Sequence, residues 1–131
     1  MSETKKDVII FPPDTAEKIS EALIEWLIER FEDETIWKDI QPLINVLIRV
    51  GLAQGIAEAE RLLEGVASDK PYAAWRAVVE AATVNERIEL MEVGRQQGIA
   101  DRVREIKSRE EWYGVLKIAI QVLVSLAIAV I

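Results

Sequence analysis

The chain has 131 residues and a net charge of −7, from 23 acidic and 16 basic residues. It contains no histidine and no cysteine, which excludes disulfides, thiolate or imidazole metal sites and nucleophilic sites of the Cys–His or Ser–His–Asp type. An acidic protein repels a polyanionic backbone, so we expect no nucleic-acid partner. We also predict no cofactor, no metal and no small-molecule substrate, because the sequence shows no phosphate loop, dinucleotide fingerprint or nucleophile elbow.

The chain begins with a polar stretch, which is followed by four apolar residues and two prolines. The apolar run is too short for a signal peptide. Proline disfavours helix in the residue before it, so we predict an extended arm over residues 1–13. We expect this arm to pack either on the core of its own domain or on a neighbouring subunit, as an added strand or a groove filler. Its interaction residues are Val8, Ile9, Ile10 and Phe11.

The first helix is predicted to begin at a capping box formed by Asp14 and Glu17. It carries a broad apolar stripe, with a row of glutamates on the opposite face. Thr35 is predicted to cap a second helix, which Pro42 either breaks or restarts. The apolar stripe of the first helix consists of Ile19, Leu23, Ile24, Leu27, Ile28 and Phe31.

Two longer helical stretches are predicted next. Residues 43–64 show a helical apolar pattern, and the sequence GVASDKP at residues 65–71 is the strongest loop signal in the chain. Residues 72–109 contain no proline and predict one long helix, or two helices joined by a kink. The end of this stretch combines a narrow apolar seam with an excess of basic residues. We therefore predict a basic helical stalk at residues 94–111 and not a globular core helix.

A nine-residue element occurs twice. Residues 50–58 and 93–101 are identical at six of nine positions, at an offset of 43 residues. This spacing indicates a duplicated helical hairpin within one bundle, the alternative being chance similarity. Paired glycines one turn apart let another backbone approach closely, so we predict helix crossings at these positions, between the two copies or between subunits. The glycines are Gly51, Gly55, Gly94 and Gly98.

The last twenty residues are the most apolar segment. Residues 112–131 contain eleven Leu, Ile or Val residues and a single charge, and a helix of this length spans about 30 Å, the thickness of a bilayer core. Two aromatic residues stand at its start, as at a membrane interface, and the basic residues upstream predict a cytoplasmic N-terminal side. A polar stripe at helical spacing is consistent with a partner helix inside a membrane oligomer, or with solvent on a helix buried in a protein assembly. A core helix of a lone soluble monomer is the remaining alternative. The segment is defined by Trp112, Tyr113, Lys117, Gln121 and Ser125.

Taken together, these patterns predict an all-α protein. We expect a small helical bundle with a duplicated helical hairpin, a short extended N-terminal arm and a C-terminal hydrophobic, transmembrane helix. The expected divisions of the chain are residues 1–13, 14–93, 94–111 and 112–131.

The predicted function is that of a non-enzymatic, membrane-anchored scaffold or adaptor that binds other proteins or self-associates. Each of three tryptophans is a candidate anchor for a partner. One alternative is a soluble structural subunit of a large homo-oligomeric particle, such as a virion, with the C-terminal helix buried between subunits. A second alternative is a holin-like protein whose polar stripe lines a membrane pore. The candidate anchors are Trp26, Trp37 and Trp75.

Overall fold

The computed structural model describes residues 14–68, 70–92 and 95–129, so the predicted arm at residues 1–13 lies outside the described residues. Within these ranges the chain forms eight α-helices and no strand, which confirms the predicted all-α class. The helices are α1 (Thr15–Phe31), α2 (Glu34–Asp39), α3 (Gln41–Gln54), α4 (Ile56–Val66), α5 (Tyr72–Ala81), α6 (Val84–Leu90), α7 (Arg95–Ser108) and α8 (Glu110–Ala129).

Helix α3 forms the centre of the bundle and contacts α1, α2, α4, α5, α6 and α8. It is apolar on nearly every side, as expected of a helix that lies inside a core. Leu43, Leu47 and Ile48 are completely buried, and burial of each such side chain stabilises the fold by about 1.5–3 kcal/mol. Pro42 lies in the first turn of α3, where its missing amide proton breaks no helical hydrogen bond.

The helix boundaries correct two capping predictions. The Asp14 side chain makes no capping hydrogen bond to α1, because it forms an exposed ion pair with a lysine one turn further along. The predicted capping box at Asp14 is therefore wrong. Helix α2 is capped by Asp33, whose carboxylate accepts a hydrogen bond from the Ile36 amide at 3.1 Å. Thr35, which was predicted as the cap, lies inside α2.

The helical run predicted at residues 43–64 is interrupted at Gly55. This residue has a φ of +103°, a conformation that favours glycine, and it separates α3 from α4. Helix α4 then continues into the predicted loop as far as Val66. Within this last turn, a Cβ on Gly65 would lie 2.7 Å from the Cβ of Ala74. Glycine at position 65 therefore allows α4 and α5 to pack closely.

The stretch predicted as one or two helices over residues 72–109 forms three. Helix α5 ends at Ala81, α6 ends at Leu90, and α7 begins at Arg95. A capping box causes the restart at α6, because Thr83 and Glu86 bond to each other's backbone amides. The boundary between α5 and α6 comes from this local hydrogen bonding, which needs neither proline nor glycine.

Helix α7 packs within the bundle, in contrast to the predicted basic stalk. Its narrow apolar seam is buried against the core through Ile99, Val103 and Ile106, and the helix contacts α2, α6 and α8. On its polar side, Arg102 donates a hydrogen bond to Asp39 of α2 at 3.0 Å. Although the apolar seam of α7 is narrow, it is buried because neighbouring helices cover it on both sides.

The two copies of the repeated element differ in local structure. Gly55 lies between two helices, whereas Gly98, the equivalent position in the second copy, lies inside α7. Gly94 is outside the described residues. The duplicated helical hairpin therefore stays a prediction.

Candidate membrane and assembly surface

The C-terminal apolar segment forms α8, which packs along the bundle against α1, α3, α4 and α7. Its inner face consists of Leu116, Ile120 and Val124, all of them buried. In the described part of the chain, α8 is the one helix that is long and apolar enough to cross a membrane, and only 17% of its most apolar stretch is buried. The helix therefore has one face committed to the bundle and another face open to its surroundings.

Helix α8 crosses α3 at a glycine. A Cβ on Gly51 would lie 3.1 Å from Val124 Cγ2 and 3.7 Å from the Cβ of Ala59 in α4. Because the first distance is shorter than an ordinary van der Waals contact, glycine permits this close approach of the helices. A Cβ on Gly98, by contrast, would meet no described atom within 4 Å. Of these two predicted crossing glycines, only Gly51 thus lies at a helix contact among the described residues.

The polar stripe of α8 faces two acids of α4. Lys117 Nζ donates a hydrogen bond to Glu64 Oε1 at 3.0 Å, and Gln121 Nε2 donates to Glu60 Oε1. Ser125, the third member of the stripe, is exposed. The two hydrogen bonds connect α8 to α4 beside the apolar inner face of α8. A pore lined by this stripe would first require both bonds to α4 to break.

An aromatic cluster holds the first turn of α8. The ring centroid of Trp112 lies 4.8 Å from that of Phe31 and 5.5 Å from that of Trp37, with the rings stacked. The Arg109 guanidinium lies 4.2 Å above the Trp112 ring, a cation–π contact. The ammonium groups of Lys107 and Lys117 lie 5.9 and 5.4 Å from the centroid of the Tyr113 ring. The predicted interfacial aromatics therefore contact the bundle and its cations.

The outer face of α8 is apolar and exposed. Ile118 is 60% exposed and Val122 is 48% exposed. Together with Trp26 of α1, which is 46% exposed, they line an apolar groove of about 580 Å³ between α1 and α8. Trp26 is thus the one candidate anchor of the three that is available on the surface, since Trp37 and Trp75 are buried. The prediction of those two residues as partner anchors is wrong, because they pack in the core.

The partners of the polar stripe, Glu60 and Glu64, were not predicted from the sequence. Glu60 and Glu64 are four residues apart on α4, the same spacing as Lys117 and Gln121 on α8. Two matching i, i+4 pairs of complementary chemistry were the available signal. The signal is weak, because acids at this spacing are common on exposed helix faces.

No protein-family model matches the chain, and comparison with curated proteins and with solved structures finds no significant match. In the described ranges, no group of three or more acidic side chains is placed to hold a metal ion. The surface of α8 is therefore the feature of the described residues that best indicates a function.

Proposed function

We propose that the protein is a non-enzymatic helical adaptor that attaches to a membrane through α8 and acts by protein–protein interaction. The observation that carries the proposal is α8 itself, a 20-residue apolar helix of which only a small part is buried. Cationic residues collect on the cytoplasmic side of a membrane span. The basic residues of α7, immediately before α8, therefore support placing the bundle on the cytoplasmic side.

The bundle and the bilayer each remove apolar residues of α8 from water, and each contributes several kcal/mol. In the bundle, its three inner-face residues each contribute about 1.5–3 kcal/mol when buried. In a bilayer, the eleven aliphatic residues of segment 112–131 contribute about 0.3–0.6 kcal/mol each, less the cost of Lys117. The bundle total is about 5–9 kcal/mol, and the bilayer total before the cost of Lys117 is about 3–7 kcal/mol. We therefore propose that α8 leaves the bundle when it enters the membrane.

Flotation of the full chain with vesicles of phosphatidylcholine and phosphatidylserine tests the proposal. We expect the wild-type chain to float. A double variant with aspartate on the outer face of α8, Ile118→Asp with Val122→Asp, is expected to stay at the bottom of the gradient, because charge at this depth opposes insertion.

The matched control places the same substitutions on α6. Val84 and Ile88 are also exposed aliphatic residues, 73% and 69% respectively, and they lie on a different helix from α8. A Val84→Asp, Ile88→Asp variant is expected to float like wild type. Failure of the wild-type chain to float, or equal flotation of both double variants, would contradict membrane attachment through α8.

The second candidate function is that of a soluble subunit of a homo-oligomeric assembly. The bonds from Lys117 to Glu64 and from Gln121 to Glu60 favour it, because they hold α8 on the bundle with its outer face turned outward. Analytical ultracentrifugation without lipid or detergent separates the two functions. A large particle that dissociates in the Ile118→Asp, Val122→Asp variant supports assembly, whereas a monomer that floats with vesicles supports membrane attachment.

A further inference from the structure

The groove between α1 and α8 begins at Ala22, about 10 Å along α1 from the start of that helix. Arg30 Nη2 in the last turn of α1 lies 4.0 Å from Glu111 in the first turn of α8, and the groove is lined by residues 22–30 of α1 and 115–123 of α8. The helices therefore run antiparallel. The first turn of α1, starting at Thr15, lies at the opposite end of the groove from this ion pair. Residues 1–13 thus precede a helix whose start lies about 10 Å beyond one end of the apolar groove.

We propose that residues 8–11 lie in the α1–α8 groove of their own chain. Four consecutive apolar residues, Val-Ile-Ile-Phe, need a surface that removes them from water. The groove offers an aliphatic wall on α8 and the ring of Trp26 on α1. This inference goes beyond the proposed function and does not depend on it.

The reach of the arm matches the length of the groove. Along an extended path, residues 11 and 8 are about 13 and 23 Å from Thr15. Along α1, the groove residues Ala22 and Arg30 are about 10 and 22 Å from Thr15. Residues 12 and 13 are both proline, which favours an extended path between the helix and the apolar run.

Backbone conformation and charge agree with this placement. Asp14 has φ −94° and ψ 3°, values that occur at the second central residue of a type I turn. Lys5 and Lys6 precede the apolar run. An arm folded back along α1 brings them toward Glu110 and Glu111, the exposed acids at the start of α8.

The covalent connection favours the chain's own arm over other occupants. A short tether holds the arm at a millimolar effective concentration near the groove, which exceeds the concentration of a second copy in ordinary samples. The groove is concave, with walls on two helices, and this shape suits a single extended segment better than a flat bilayer surface.

Thiol alkylation tests the inference directly, because the chain contains no cysteine. Single cysteines are introduced at Ile118, in the groove, and at Ile88 on α6, which are 60% and 69% exposed in the described residues. Rates of reaction with a maleimide are measured without lipid at low protein concentration. If the arm occupies the groove nine-tenths of the time, the cysteine at position 118 reacts about tenfold more slowly than that at position 88.

The arm variant Ile9→Asp with Ile10→Asp provides the decisive comparison. We expect it to raise the rate at position 118 to that at position 88, and to leave the rate at position 88 unchanged. A cysteine at Val122 repeats the measurement in case the Ile118→Cys variant does not fold. Equal rates at positions 118 and 88 in the presence of the wild-type arm would overturn the inference.

Two further outcomes would also overturn it. One is a slow rate at position 118 that the arm variant does not change, and the other is a slow rate that rises on dilution, which identifies a second copy as the occupant. Because no vesicles are present, failure here leaves the flotation result untouched, and failure of flotation leaves this result untouched.

Discussion

If α8 exchanges between bundle and bilayer, weakening its inner face should strengthen membrane binding. Ile120 and Ile118 are two residues apart on α8, but Ile120 is 2% exposed and Ile118 is 60% exposed. Alanine at position 120 leaves a cavity in the core, which costs about 2–5 kcal/mol. The same change at position 118 costs less than about 1 kcal/mol, because that side chain lies on the surface.

We expect the two substitutions to differ in their effects on stability and on membrane binding. Both remove about the same small contribution, about 0.5 kcal/mol, from insertion into a bilayer. Ile120→Ala therefore shifts the balance toward the membrane, and we expect vesicle partitioning to rise by at least about tenfold. Ile118→Ala should leave partitioning equal to wild type or slightly lower.

Urea unfolding monitored by circular dichroism measures the stability of each variant, and flotation at several lipid concentrations measures its partitioning into vesicles. The pair is internally controlled, since chemistry and chain position are nearly identical. If Ile120→Ala loses stability and its partitioning falls in step with that of Ile118→Ala, then α8 does not have to leave the bundle to bind lipid, and the exchange reasoning is refuted.

Three further predictions concern the fold and use urea unfolding. Gly65→Ala is expected to lower the free energy of unfolding despite alanine's helix propensity, because its Cβ would lie 2.7 Å from that of Ala74; equal or greater stability would contradict the close packing of α4 on α5. Gly98→Ala should raise it by about 0.5–1 kcal/mol, since this helical glycine faces open space in the described chain; a loss would mean that something contacts Gly98. Asp33→Ala should cost about 0.5–2 kcal/mol by removing the cap of α2, with Asp33→Asn retaining most of the stability.

Elements with a strong periodic pattern were predictable from the sequence. The apolar stripe of α1 and the apolar length of α8 each identify a helix without reference to the rest of the chain. The breaks around α6 were harder to predict, because residues 72–109 contain no proline. The Thr83–Glu86 capping box was visible in the sequence, but a capping box inside a helical pattern does not by itself end the preceding helix.

The environment of a helix depends on its neighbours, which periodicity does not report. The narrow apolar seam of α7 is equally typical of a stalk and of a core helix. Only the packing of α2, α6 and α8 around it distinguishes the two. For the same reason the polar stripe of α8 was recognised, but its partners Glu60 and Glu64 were not. Helix α4 and α8 are far apart in the sequence, so their contact follows from the tertiary arrangement.

The stacking of Trp112 on Trp37 also gives the protein an optical property. Indole rings whose centroids are 5.5 Å apart couple their electronic transitions, which produces a paired band in circular dichroism that isolated tryptophans lack. One partner belongs to α8 and the other to α2, so the band reports directly on whether the first turn of α8 is seated. Circular dichroism of the unlabelled chain during addition of lipid therefore tests whether the first turn of α8 stays in contact with α2.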